Sequence, residues 1–321
     1  MTASFRQLID VGDIDGLVRL IDDLTSSREW DSLAELRSAA RAAASSGRQV
    51  WPAATLAEYR LALRAPAPHA ARVLDDAGRF TLGPLTEVIA QDHTFEDLAP
   101  HLSAGPTQAY VAHERAIRGE SIRADVFPAL DIPTQLAPWE PAYLLPTYRD
   151  AGLEVPEPER PLAFTGATFD DETSIDCADV TEAFRLLIEP WTTSDSISWS
   201  VTSTRGAQSG AIAAAGASTG RFANLSNDDA LRWLTWIGAS GGPDGRRRGN
   251  ASGRFSTWWL LASLTGNLDS WPSTEMAHVE RLNWSWWDRG HDRQGWSIGL
   301  AVHDPSTDTS WAFEAHDVQK S

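Results

Sequence analysis

Cysteine and lysine are almost absent from this chain of 321 residues, with Cys177 and Lys320 the single examples of each. One thiol makes an intramolecular disulfide impossible and excludes a cysteine-built metal site. Nearly all positive charge is therefore arginine, a bias expected of a GC-rich coding sequence. Positive charge is scarce overall: 27 basic residues face 44 acidic ones, a formal net charge of −17. Such a balance favours solubility and opposes non-specific attraction to nucleic acid or anionic membrane, so neither is an expected partner. Long apolar runs are missing too, and no segment has the roughly 20 apolar residues needed to span a bilayer. The N-terminus, Met-Thr-Ala-Ser-Phe-Arg-Gln-Leu-Ile-Asp, lacks the basic start and apolar run of a secretory signal. Together these absences predict a cytoplasmic protein.

What is present divides into three stretches. Residues 1–127 place apolar side chains at helical spacing, as in Ile14, Leu17, Val18, Ile21 and Leu24, then Trp30, Leu33 and Leu36. Gly47, Pro66 and Pro68, Gly83-Pro84 and Gly105-Pro106 interrupt the pattern where helices stop or restart. The expectation is an all-α array, HEAT-like or an irregular bundle, with surface for a protein partner. Residues 128–172 hold Pro128, Pro133, Pro138, Pro141, Pro146, Pro156, Pro158 and Pro161, a density that favours an extended strap and linker.

Residues 173–321 predict a tryptophan-rich α+β domain with a small antiparallel sheet. Helices are expected at Val180–Ile188, from Asn227 through Trp236 and at Phe255–Leu264. Strands are expected at Ser196–Thr202 and in a meander of Leu282–Asp288, Trp296–His303 and Ser310–His316. Twelve of the fifteen tryptophans lie at or after Trp191, which predicts a core dense in indoles. Trp287 stands apart, because it faces opposite to Trp284 and Trp286 on its strand.

The most concentrated chemistry is residues 238–254, with six glycines and Arg246, Arg247, Arg248 and Arg254 in one stretch. Glycine frees backbone N–H groups to face a ligand, and arginine forks add bidentate donors. Arg246, Arg247, Arg248, Arg254, Gly241 and Gly245 are thus a candidate site for a small anionic or phosphorylated ligand, at the start of the Phe255 helix. The competing reading is that these arginines pair with the protein's own carboxylates. Glu114, Arg118 and Glu120 are candidates to complete such a cleft, although Glu114 and Arg118 at i, i+4 are first of all a helix-surface ion pair.

Other motifs point nowhere catalytic. Gly238-Ala239-Ser240-Gly241-Gly242 matches a nucleophile elbow, but a helix precedes Ser240 where a strand is required. No lysine follows the glycines, so a Walker phosphate loop is excluded. His291-Asp292, His303-Asp304 and His316-Asp317 suggest a metal site. Pairing Val302 with Trp311 and Leu300 with Phe313, however, puts His303 opposite Ser310 and His316 opposite Ser297. The two histidines are then roughly 20 Å apart, too far to share an ion. His93 and His101 fit helix-cap or packing roles. No cofactor, metal or catalytic residue is assigned.

Several stretches resemble a family of uncharacterised actinobacterial proteins, a domain of unknown function. They are Asp92-His93-Thr94-Phe95 with Leu98–Leu102, Ala112–Arg115, Pro138-Trp139-Glu140-Pro141-Ala142-Tyr143, Gly238–Arg254, Trp286-Trp287-Asp288, and Gly295-Trp296 with Leu300–Pro305. The resemblance runs from about residue 90 onward and implies that the helical and α+β parts belong together. It carries no activity. The expectation is a binding or regulatory protein without chemistry of its own; the alternative is an enzyme or sensor for a phosphorylated or anionic ligand at 238–254.

Overall fold

The computed structural model describes residues 2–76, 81–123, 126–127, 129–169, 172–193, 197–242, 245–271, 276, 278–290 and 296–317. The chain forms two units, and it passes between them within the proline-rich stretch. Residues 1–130 and 146–155 make the first unit; residues 131–145 and 156–321 make the second.

The first unit is helical: α1 (Thr2–Val11), α2 (Ile14–Ser26), α3 (Trp30–Ser45), α4 (Trp51–Arg64), α5 (Ala67–Arg72), α6 (Leu85–Asp92), α7 (Phe95–Leu98) and α8 (Pro106–Ile117). Turn residues set the boundaries. Asp13 caps α2 through the Gly16 amide, Pro66 and Pro84 precede α5 and α6, and Gly105 precedes α8. Helix α4 packs against α2, α3, α5 and α6 and is buried without a break from Ala57 to Leu63. The enclosed Glu58 on this helix is paired with Arg37 and Arg41 of α3.

Strand β1 (Val126–Phe127) and strand β2 (Leu130–Pro133) follow, and β3 (Thr147–Arg149) with β4 (Gly152–Glu154) forms a hairpin of the first unit. Tyr59 donates to the Arg149 carbonyl at 2.7 Å, Arg64 grips Asp150 through two bonds, and Tyr148 donates to the buried Glu87. The Arg64 hydrogen bond holds the Asp150 carboxyl below its ordinary range. These ties explain why 146–155, a piece of the expected strap and linker, condenses onto helices.

The second unit is α+β, as its patterning predicts. Its sheet runs in the order β5-β7-β8-β9-β10-β6, every pair antiparallel. The strands are β5 (Thr165–Thr168), β6 (Ile197–Arg205), β7 (Thr219–Leu225), β8 (Asn283–Asp288), β9 (Ser297–Asp304) and β10 (Thr309–Asp317); the helices are α9 (Ala178–Leu187), α10 (Gln208–Ala214), α11 (Asn227–Ser240) and α12 (Asn250–Leu264). Val302 pairs with Trp311 and Leu300 with Phe313, the register predicted from alternation.

Both faces of the sheet are covered. On one, Trp286 meets Trp233 of α11 and Phe313 meets Phe184 of α9. On the other, Trp287, Ala301 and Ala312 pack with Ala211 and Ile212 of α10. Trp287 does face opposite to Trp284 and Trp286, but it is no exception to the core: it is 1% exposed, because α10 lies over that face. Helix α10 is built of small residues with little apolar signal, and its role was not legible in the sequence. A buried indole withdraws roughly 200 Å² from water, about 5 kcal/mol before entropy, so this core depends on few residues.

Candidate functional site

The glycine- and arginine-rich stretch folds back on itself. Helix α11 continues to Ser240 and ends on Gly241 in the left-handed region (φ +84°), so Ser240 is a helix terminus and its hydroxyl donates to the Ile237 carbonyl. A Cβ on Gly241 would overlap the Arg246 carbonyl, and one on Gly245 would overlap the Gly241 carbonyl. The close path of the backbone therefore accounts for these two glycines. Pro243 and Asp244 lie outside the described residues.

Helix α12 begins at Asn250, not at Phe255, which places Arg254 inside the helix rather than in the loop. Its guanidinium is fully enclosed and meets Glu140 through two bonds of 2.7 Å. It also donates to the Gln135 carbonyl at 3.0 Å and lies 5.6 Å from the Trp258 ring. Glu140 accepts further bonds from the Ala137 amide and the Tyr143 hydroxyl, each 2.9 Å. Burial pushes the Tyr143 hydroxyl pKa well up, so it remains a donor. Two stretches singled out in the sequence, residues 138–143 and 238–254, are thus bound by one internal ion pair.

The remaining arginines differ in exposure. Arg247 is buried and donates to Asn250 Oδ1 at 2.8 Å. Arg248 reaches the Leu186 carbonyl and lies 3.7 Å from Glu189, while Arg246 is exposed.

Glu114, Arg118 and Glu120 belong to the first unit and are engaged there. Glu114 and Arg118 form the expected i, i+4 pair at 3.0 Å, but it is buried rather than on the helix surface. Glu120 accepts from the Phe95 amide at the start of α7 and from Arg115. His93 is the C-cap of α6, and burial lowers its pKa. His303 bonds Ser310 across the hairpin and His316 stands opposite Ser297, as the register requires; His291 lies outside the described residues. Among the described residues no three His, Cys, Asp or Glu side chains are placed to hold a metal ion.

A concave site lies elsewhere in the second unit, where two neighbouring strands separate. The ladder between β8 and β9 stops at Trp286–Leu300. Strand β7 continues along β8 to Arg221–Asp288, and β10 continues along β9 to His316–Ser297. The gap forms a basin of about 290 Å³. Two bidentate ion pairs flank it: Arg221 with Asp288 at 2.9 and 3.0 Å, and Arg289 with Glu314 at 3.0 and 2.7 Å. Arg289 also donates to the Ala215 and Gly216 carbonyls, and its bond to Glu314 raises its pKa. Gly299 lets the two backbones pass closely at the edge of this basin, since a Cβ there would overlap the Trp287 carbonyl.

Beside the basin is a recess of about 260 Å³ walled by Trp191, Trp233, Trp236 and Trp296, with Glu157 and Arg160 at its rim. Arg160, Ser297 and Ile298 line both cavities. Trp236 and Trp296 stack at 4.8 Å and 14°, and Trp191 meets each of them edge-on. The Trp233 indole donates to the Glu159 carbonyl, which holds residues 157–160 over α11. Arg160 thereby lies 5.5 Å from the Trp286 ring and 6.0 Å from Trp233, with Glu157 at 3.7 Å; both charged side chains are about half-exposed.

Three buried indole N–H groups, of Trp236, Trp258 and Trp284, have no acceptor among the described residues, and Trp236 is the one that lines this recess. A buried donor without an acceptor costs about 1–3 kcal/mol. The sequence offered no sign of this constellation. Arg160 sat in a predicted linker, and its aromatic neighbours are scattered from residue 191 to residue 296.

A two-faced antiparallel sheet enclosing an indole-walled recess defines the second unit as an α+β module, joined in one chain to a helical unit. A model of a family of unknown function, DUF6183, matches residues 15–319, and the chain belongs to that family. No curated protein and no solved structure matches the chain. Among the described residues no helix is long and apolar enough to cross a membrane.

Proposed function

We propose that the chain is a binding protein whose ligand occupies the indole-walled recess of the second unit. The supporting observation is the buried Trp236 N–H without an acceptor, in a concave site whose rim carries the loosely paired Arg160. Recesses with mostly apolar walls and a few convergent polar groups are the default location for small ligands. An unsatisfied indole N–H in the wall and a guanidinium at the rim call for a ligand that carries acceptors, and the indole walls call for one with a flat or apolar face. No reaction is assigned to the site.

This reading moves the ligand away from residues 238–254. There Arg254 is enclosed and held by Glu140, and Arg247 is buried and donates to Asn250, while Arg246 is exposed and Arg248 partly exposed.

The test is a thermal-shift and tryptophan-emission screen of the full chain against ATP, tetramethylammonium, L-arginine and methyl glycosides. Wild type, Arg160→Ala and Trp296→Ala run side by side. The expected result is that one probe stabilises wild type and changes its emission but leaves both variants unmoved. A ligand at one hundred times its Kd adds about 2.7 kcal/mol, an easily read shift. No response to any probe, or equal responses in all three proteins, overturns the proposal.

A further inference from the structure

We infer that the ligand of this recess is a neutral saccharide, its ring laid on Trp296; the inference rests on the recess being the binding site. The first argument is charge. Arg160 faces Glu157, Arg221 holds Asp288 and Arg289 holds Glu314, so three cations meet three anions across the two cavities. An anionic ligand needs an unengaged guanidinium fork. Both basin forks are already bidentate, and the protein's charge of −17 repels anions at long range. A cationic ligand would be repelled by Arg160, which already lies over Trp233 and Trp286 and lines the same recess.

The second argument is the pattern of hydrogen bonding. At the rim Arg160 presents donors and Glu157 an acceptor, and the buried Trp236 indole N–H of the wall has no acceptor among the described residues. A hydroxyl both donates and accepts, so vicinal hydroxyls can bridge a carboxylate and a guanidinium at once. A simple ketone or ether matches only the donor half of that set. The third argument is shape. Trp296 is partly exposed and backed in near-parallel contact by Trp236, a rigid flat wall suited to the C–H face of a pyranose. The adjoining basin leaves room for a second ring beyond the first.

The experiment uses the full chain and isothermal calorimetry with the methyl glycosides of glucose, galactose and N-acetylglucosamine, together with cellobiose. A glycoside is expected to bind and to alter tryptophan emission, with an affinity unchanged between low and high salt because the ligand is uncharged. Trp296→Ala and Glu157→Gln are each expected to weaken binding about tenfold or more. Glu157→Gln changes an exposed side chain and so keeps the test valid if the tryptophan variant does not fold.

Binding that falls steeply with salt, or that ignores Glu157→Gln, overturns the saccharide assignment. So does silence from every glycoside alongside an Arg160-dependent response to ATP or tetramethylammonium, an outcome that leaves the recess itself standing. Silence from all probes overturns both readings.

Discussion

The arginine-rich stretch at 238–254 and the recess around Arg160 make opposite use of the same side chain. In the first, four arginines lie within nine residues, and the innermost, Arg254, is enclosed with Glu140 and fully hydrogen-bonded. In the second, a single arginine rests half-exposed over indole faces at the rim of a recess whose wall includes an indole N–H with no acceptor among the described residues. On the proposed reading, the density of a motif is a poor guide to a site. A ligand adds most where polar groups are held in place but left unsatisfied, because it supplies the hydrogen bonds the fold withholds. At Arg254 the fold supplies them all.

The strongest way to break this comparison is Arg254→Met. It strands Glu140 in the core, and loss of one partner of a buried pair costs about 3–5 kcal/mol. Urea denaturation should show that loss, and the double variant Arg254→Met/Glu140→Leu should recover much of it. A loss below about 1 kcal/mol would mean that Arg254 is not the brace described.

A smaller effect is expected at the recess side from Gly299→Ala. The new Cβ must displace the Trp287 backbone, an overpacking cost of about 1–3 kcal/mol, and the gap between β8 and β9 should change with it. Unchanged stability together with unchanged ligand response would show that the strand separation does not shape the site.

The smallest effects belong to Arg246→Ala and Arg248→Ala, each expected within about 0.5 kcal/mol of wild type because Arg246 is exposed and Arg248 is partly exposed with only long contacts to Leu186 and Glu189. Either variant abolishing a response to ATP would return the binding site to 238–254.

Much of the fold was legible in the sequence. Proline and glycine breaks located α5, α6 and α8, and alternation fixed the β9–β10 register down to His303 opposite Ser310. Helix α12 was placed five residues late, since Asn-Ala-Ser-Gly is a weak helix former and only tertiary packing draws it into the helix. That displacement made Arg254 look like a loop residue. Strands β5 and β7 and helix α10 escaped notice for a related reason: they are short, and small or polar residues give them little periodicity. The recess was not legible at all, and Trp296 drew attention only as part of a motif.

The sequence by itself determined the order of helices and strands, the tryptophan-rich core and the exclusion of disulfide chemistry, because periodicity, turn residues and composition act over a few residues at a time. Tertiary structure alone decided which polar groups are satisfied. Arg254 finds Glu140 across 114 residues of chain, and Trp236 finds no acceptor among the described residues. Hydrogen bonding is short-ranged in space but indifferent to distance along the chain, so the difference between a satisfied and an unsatisfied polar group appears only once the chain has folded.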